Sequence, residues 1–226
     1  MGYLQEYEKK SLSEVTVTYI KDKILSGEFK SGDKLIESEI SGELGISRAP
    51  VREAMRQLNV EGMVVFLPRK GNHVLDMALA ETMEVFEIRT ALEKQILEML
   101  VTRKLLSDAD ISNLKSLVED MRRYEDKPVD QYEMLYQLNS MDIAFHRYLW
   151  NASGSFQRPK ILEKLFYELL IVMNRDTVTL GTFKEKAQEH LRIVQALAEQ
   201  DLDKTLGEFD NHMKAYIQAV KEGSLA

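Results

Sequence analysis

The stretch Leu44-Gly45-Ile46-Ser47-Arg48-Ala49-Pro50-Val51-Arg52-Glu53-Ala54-Met55-Arg56-Gln57-Leu58 decides how the N-terminal part of this chain folds. Gly45 can take the left-handed conformation that ends a helix. Ser47 is a natural N-cap, and Pro50 falls in the first turn of the next helix, where its missing N–H costs little. Val51, Met55 and Leu58 recur at helical spacing and form a core stripe. Arg48, Arg52 and Arg56 recur every fourth residue, which at about 100° per residue sets a second stripe roughly a quarter turn from the first. One face packs and the adjacent face presents guanidinium groups. Their planar forks can bind guanine O6 and N7, or phosphate oxygens, in pairs. An arginine stripe alone also reads as a solvated, salt-bridged face, so the flanking elements matter.

Upstream, Ser11-x-x-Glu14 is a capping box, Val15, Tyr19, Ile20 and Ile24 form an apolar stripe, and Gly27 stops the helix. A turn at Ser31-Gly32-Asp33 leads to a second helix over about Glu37–Leu44. Downstream, the third helix runs to about Asn59 with Gly62 just beyond. Val64–Leu67 and His73–Leu75, around Pro68-Arg69-Lys70-Gly71-Asn72, then read as a hairpin. Three helices and a trailing hairpin predict a winged helix-turn-helix over residues 1–75. Arg69 and Lys70 lie at the wing tip, within reach of phosphates or the minor groove, and His73 reads as a wing surface residue.

From Asp76 onward no strand signal appears. Met83, Phe86, Leu92, Ile96 and Leu100 mark one helix, and Ser107-x-x-Asp110 caps a second that ends at Asp126-Lys127-Pro128. Further helices are expected near 130–150, 157–176, 183–199 and 202–221. The fold class is therefore mainly α, with an all-helical bundle of six or seven helices over residues 76–226.

Composition fits an ordinary globular chain: 226 residues, 44% hydrophobic and 30% charged. The net charge of −7 hides a local reversal, because residues 47–70 carry five basic side chains against two acidic ones, a net +3. Charge at the contact surface, not the chain average, governs DNA affinity. The apolar runs are too short to span a bilayer and the N-terminus lacks a signal-peptide pattern, so no membrane partner and a cytoplasmic location are expected. With no cysteine, any metal must be held by histidines and carboxylates.

Three of the four histidines fall in the bundle. Asp142 and His146 stand at i, i+4 on one helix face, and His190 and His212 lie on two later helices. Three imidazoles and one carboxylate suit Zn²⁺, Ni²⁺, Mn²⁺ or Fe²⁺. Taken singly, each reads first as a hydrogen-bonded or surface group, and a lone Asp-x-x-x-His is a weak signal.

The run Gly32-Asp33-Lys34-Leu35, Leu44 to Ala54, Leu58, Glu61-Gly62 and Gly71-Asn72-His73-Val74 resembles the GntR family of bacterial regulators over about residues 12–75. The resemblance implies that Arg48 and Arg52 contact operator bases or backbone, with Ser47 beside them, and that Gly71 sits in the wing against the minor groove. Some members carry an arginine early in helix two, and Ser38 stands there in this chain. Arg89-x-x-x-Glu93, Asp142-x-x-x-His146, Glu189-His190-x-x-Ile193, Asp201 and His212 resemble the FCD ligand-binding domain of the fatty-acid-regulator branch over roughly 80–221. That resemblance implies a divalent metal on Asp142, His146, His190 and His212, and a small organic acid as effector. Arg89 or Arg175 could neutralise a second carboxylate of that acid, and each reads equally as an intrabundle salt bridge to a glutamate.

The expectation is a transcription regulator, a repressor, that binds a palindromic double-stranded operator as a homodimer and responds to an organic acid. The rival classes are a metal-dependent enzyme and a metal-free helical interaction module. No second carboxylate or nucleophile stands at a telling spacing near the histidines, and a reading head has no use in a simple metabolic enzyme.

Overall fold

The computed structural model describes residues 10–125, 127–174 and 182–223. The N-terminal part comprises α1 (Leu12–Leu25), β1 (Lys34–Leu35), α2 (Glu37–Leu44), α3 (Arg48–Val60), β2 (Val64–Leu67) and β3 (Gly71–Val74). The capping box forms at Ser11 and Glu14, and the carbonyls at the end of α1 are met by Ser26 and Gly27. Gly45 ends α2 at φ +67°. Ser47 holds the N-cap position of α3, but its hydroxyl makes no capping bond.

Strand β1 went unforeseen. It pairs antiparallel with β3, Lys34 opposite His73 and Leu35 opposite Asn72, so the wing is a three-stranded sheet in the order β1-β3-β2. Two residues carry no alternation to read, and their strand character comes from the partner. The hairpin is also tighter than expected. Strand β3 begins at Gly71, opposite Leu67, and Arg69 takes φ +67° at the tip between Pro68 and Lys70.

The remaining described residues form α4 (Leu79–Thr102), α5 (Asp108–Tyr124), α6 (Gln131–Ala152), α7 (Arg158–Met173), α8 (Phe183–Glu199) and α9 (Leu202–Gly223). Ser107, Asp130 and Thr182 cap α5, α6 and α8 with their side chains. Helix α6 touches α4, α5, α7 and α8, and also reaches α1. Phe86, Phe145, Trp150 and Phe209 are its fully buried aromatic filling and that of its neighbours.

The two parts share one contiguous apolar cluster, from Val17 to Tyr216. Two buried amides fasten the joint. Asn139 Nδ2 on α6 donates to the Leu25 carbonyl at 2.8 Å, and Asn174 Nδ2, at the end of α7, donates to the Ile24 carbonyl at 3.1 Å. The last carbonyls of a helix need partners from outside it, and here the bundle supplies them. Gly62, at φ +81°, sits against α7, where an added Cβ would lie 2.7 Å from both Glu168 Oε1 and Lys164 Cε. Those side-chain ends can swing aside, but the left-handed backbone cannot relax. Gly62→Ala should therefore destabilise the protein by about 1–2 kcal/mol, read as a lower midpoint in urea. An unchanged midpoint would show that this turn tolerates a side chain.

Candidate functional sites

The first site is the exposed face of α3. Val51, Ala54, Met55 and Leu58 are buried beneath it, while Arg48, Arg52 and Arg56 are exposed. Arg52 Nε donates to Glu37 Oε2 at 2.7 Å. Glu37 thus braces the stem of Arg52 and leaves the outer guanidinium nitrogens for another partner. A groove of about 470 Å³ runs between α3 and the wing, with Glu37, Arg52, Arg56, Asn59 and Phe66 on its walls. Ser38, Ser47, Arg69 and Lys70 are exposed and Gly71 is half-buried. His73, read from sequence as a surface residue, is half-buried instead, with Nδ1 3.2 Å from the Gly71 carbonyl. A non-glycine residue in the left-handed region is uncommon, so Arg69 accepts strain at the tip. Val60 and Phe66 are exposed beside the groove, a feature the hydrophobic pattern did not reveal.

The second site is inside the bundle. Asp142 and His146 from α6, His190 from α8 and His212 from α9 converge, each offering a ligand atom within 4.8 Å of the others. All four are buried, the histidines completely. Glu93 Oε2 accepts from His146 Nδ1 at 2.8 Å and from Trp150 Nε1 at 3.0 Å. Glu189 Oε2 accepts from His212 Nδ1 at 2.8 Å. In the neutral tautomer that donates from Nδ1 to these carboxylates, Nε2 of each ring keeps its lone pair. These two Nε2 atoms face each other at 3.3 Å. Neither ring nitrogen of His190 has a hydrogen-bond partner, and its Nε2 lies 3.2 Å from Asp142 Oδ1 without the alignment of a hydrogen bond. Phe145 stacks on that ring with centroids 4.0 Å apart.

The electrostatics suit a cation. Burial lowers the pKa of His190, and burial with the neighbouring imidazoles holds His212 well below the ordinary value. Burial works to raise Asp142, but the contact with His190 and the charge of the surrounding histidines hold it well below the usual carboxylate range. Burial likewise opposes ionisation of Glu93, and His146 and Arg89 overcome it. Two imidazoles that resist protonation, a carboxylate held in its ionised form and orphaned buried ligand atoms are what a divalent ion requires, so the residues present fit one. The two carboxylates behind the rings are the outer partners that orient metal-binding histidines.

Beside the cluster lies a cavity of about 20 Å³ walled by Arg89, Asn139, Asp142, Phe166, Lys186 and Tyr216. Arg89 is buried, donates from Nε to Glu93 Oε1 at 2.6 Å, and has a buried Nη2 with no partner. Tyr216 donates to Asp142 Oδ2 at 3.0 Å. Arg175 lies outside the described residues. Reading the sequence missed the orienting roles of Glu93 and Glu189, and missed Asn139, Lys186 and Tyr216 altogether. Asn139 and Lys186 stand one helical turn from Asp142 and His190, which is the one signal that pointed to them.

A winged helix-turn-helix with an arginine face, joined to a helical bundle enclosing a polar cluster, defines a DNA-binding transcription regulator. Residues 12–74 match the family described as bacterial regulatory proteins, gntR family, and residues 84–215 match the FCD domain. The chain belongs to the GntR family and carries an FCD domain. It is 27% identical over 227 residues to the gluconate operon transcriptional repressor of Bacillus subtilis, covering 97% of this chain and 80% of that one. It is 22% identical over 212 residues to the HTH-type transcriptional repressor GlaR of Escherichia coli, covering 90% and 93%. Among solved structures, E. coli McbR/YncC aligns with a TM-score of 0.79 at 19% identity, over 94% of this chain and 98% of that one, a likeness of fold. The family and these relatives are regulators, not enzymes. Among the described residues no helix is long and apolar enough to cross a membrane.

Proposed function

We propose that this protein is a ligand-responsive repressor of the cytoplasm, acting as a homodimer on a palindromic operator. Residues 1–75 are its reading head and residues 76–226 its sensor. Arg48 and Arg52 read the major groove from α3, Ser38 and Ser47 contact phosphates, and Arg69, Lys70 and Gly71 approach the minor groove from the wing. Asp142, His146, His190 and His212 would hold a divalent ion, which supplies open positions for carboxylate oxygens. Arg89 orients a small organic acid there through its unpartnered nitrogen, and Arg175 is its proposed companion.

The observation that carries the sensing role is Asn139. Its side chain lines the cavity beside Asp142 and at the same time holds the C-terminal carbonyl of α1, the first helix of the reading head. A ligand that reorders this wall has a direct hold on the head, and shifts the population of DNA-competent arrangements. The test is Asn139→Ala. Wild-type affinity for the promoter fragment next to its own gene should change when Zn²⁺ is removed by chelator. The variant should bind the same Zn²⁺ yet show an affinity that no longer responds. A response of undiminished size in the variant would remove Asn139 from the coupling.

A further inference from the structure

Lys186 is a second buried cation in the same cavity, and the histidine cluster gives no reason for it. It lies on α8 one turn before His190, and is only 4% exposed. Its ammonium stands 3.5 Å from the centre of the Tyr216 ring. Its hydrogen bonding is one long contact of 3.4 Å with Glu189 Oε2, an oxygen already engaged by His212 at 2.8 Å. An ammonium has three donors, and burying a charge so thinly matched is costly.

Arg89 faces the same cavity in a similar state, with Nη2 buried and unpartnered. Glu93 cannot satisfy both cations. It is already shared among Arg89 Nε, His146 and Trp150. Two buried cations with donors that no oxygen accepts thus share one cavity beside the cluster, a place for an anionic group in addition to one held at the cluster.

We propose that the effector is a short acid with two anionic groups. One carboxylate lies at the cluster beside Asp142, and the other is accepted by Lys186 Nζ and Arg89 Nη2. Lys186 is then the residue that separates diacids from monoacids. The cavity of about 20 Å³ holds no more than a water-sized group, so the acid enters as the ammonium leaves the Tyr216 face. The long flexible stem of lysine permits that movement. This inference rests on the metal reading above.

The test uses the full chain loaded with Zn²⁺ and two matched pairs of probes, malonate against propionate and succinate against butyrate. Within each pair only the second carboxylate differs. Calorimetry should show a diacid binding at least about tenfold tighter than its monoacid partner. Lys186→Met should bring the pair to within about threefold and leave Zn²⁺ content unchanged, whereas Lys186→Arg should keep the preference. Lys186→Gln serves as the neutral variant if Lys186→Met does not fold. Equal binding of monoacid and diacid, no binding of either, or a preference that survives loss of the charge overturns the proposal. A chain that takes up no Zn²⁺ sinks the metal reading instead. The same acids on that protein still decide Lys186 by whether a diacid preference exists and disappears with the charge.

Discussion

Removing the metal should lower the melting temperature by roughly 10 °C. An ion present at about a thousand times its dissociation constant adds about 4 kcal/mol to the folded state, and each kcal/mol moves the midpoint of a chain this size by roughly 2–4 °C. The structural reason is that the four candidate ligands come from α6, α8 and α9, so one ion there would tie three helices together. His190→Ala should lose both the metal and the chelator-sensitive part of the melting temperature, since both ring nitrogens of His190 lack any other hydrogen-bond partner. The pH response has a definite sign. Protons compete for the rings, and folded-state pKa values below the ordinary imidazole value delay that competition. His190 and His212 are both lowered, so metal should be retained at neutral pH and lost only as pH falls below the usual histidine range of about 6.5. Elemental analysis beside thermal scans with and without chelator checks this. Freshly purified protein without metal, whose melting curve ignores added Zn²⁺, Ni²⁺, Mn²⁺ and Fe²⁺, would reduce the cluster to a polar core.

Arg52→Ala should weaken operator binding by about 1–3 kcal/mol, close to tenfold to a hundredfold. The side chain is well exposed on α3, and its bond to Glu37 engages Nε, which steadies the stem of the fork. Arg52→Lys should not restore affinity, because a lysine keeps the charge but lacks the paired donors. Glu37→Gln should produce a smaller loss of the same kind by loosening the brace. Affinity should fall steeply with salt, and titration should give two chains per palindromic duplex. Fluorescence anisotropy on the promoter fragment supplies all of these values. Equal affinities for wild type and Arg52→Ala would remove α3 from the reading role.

Much of the fold was legible because its signals are local. Capping boxes at Ser11 and Ser107, the left-handed Gly45 and the long apolar stripes of α4 to α9 each act within a few residues, and the observed helix ends lie within about two residues of the expected ones at most boundaries. Strand β1 was not legible, because two residues cannot display a period and its pairing partner lies far along the chain at His73 and Asn72. The exposure of Val60 and Phe66 was hidden for a related reason, since a hydrophobic residue on a groove wall looks like core in one dimension.

The sequence by itself determined the order of the helices and the arginine face of α3, because residue type and helical spacing set those properties, and it offered Asp142, His146, His190 and His212 as a ligand set through the family resemblance. Only the tertiary structure decided what surrounds them. It placed Glu93 and Glu189 behind two of the histidines, left His190 and Arg89 Nη2 unpartnered, folded Lys186 over Tyr216, and ran Asn139 from the cavity to the end of α1. Each of those contacts joins residues on different helices or across the two parts of the chain. Hydrogen bonding and burial depend on distance in space, and no local spacing rule reaches that far.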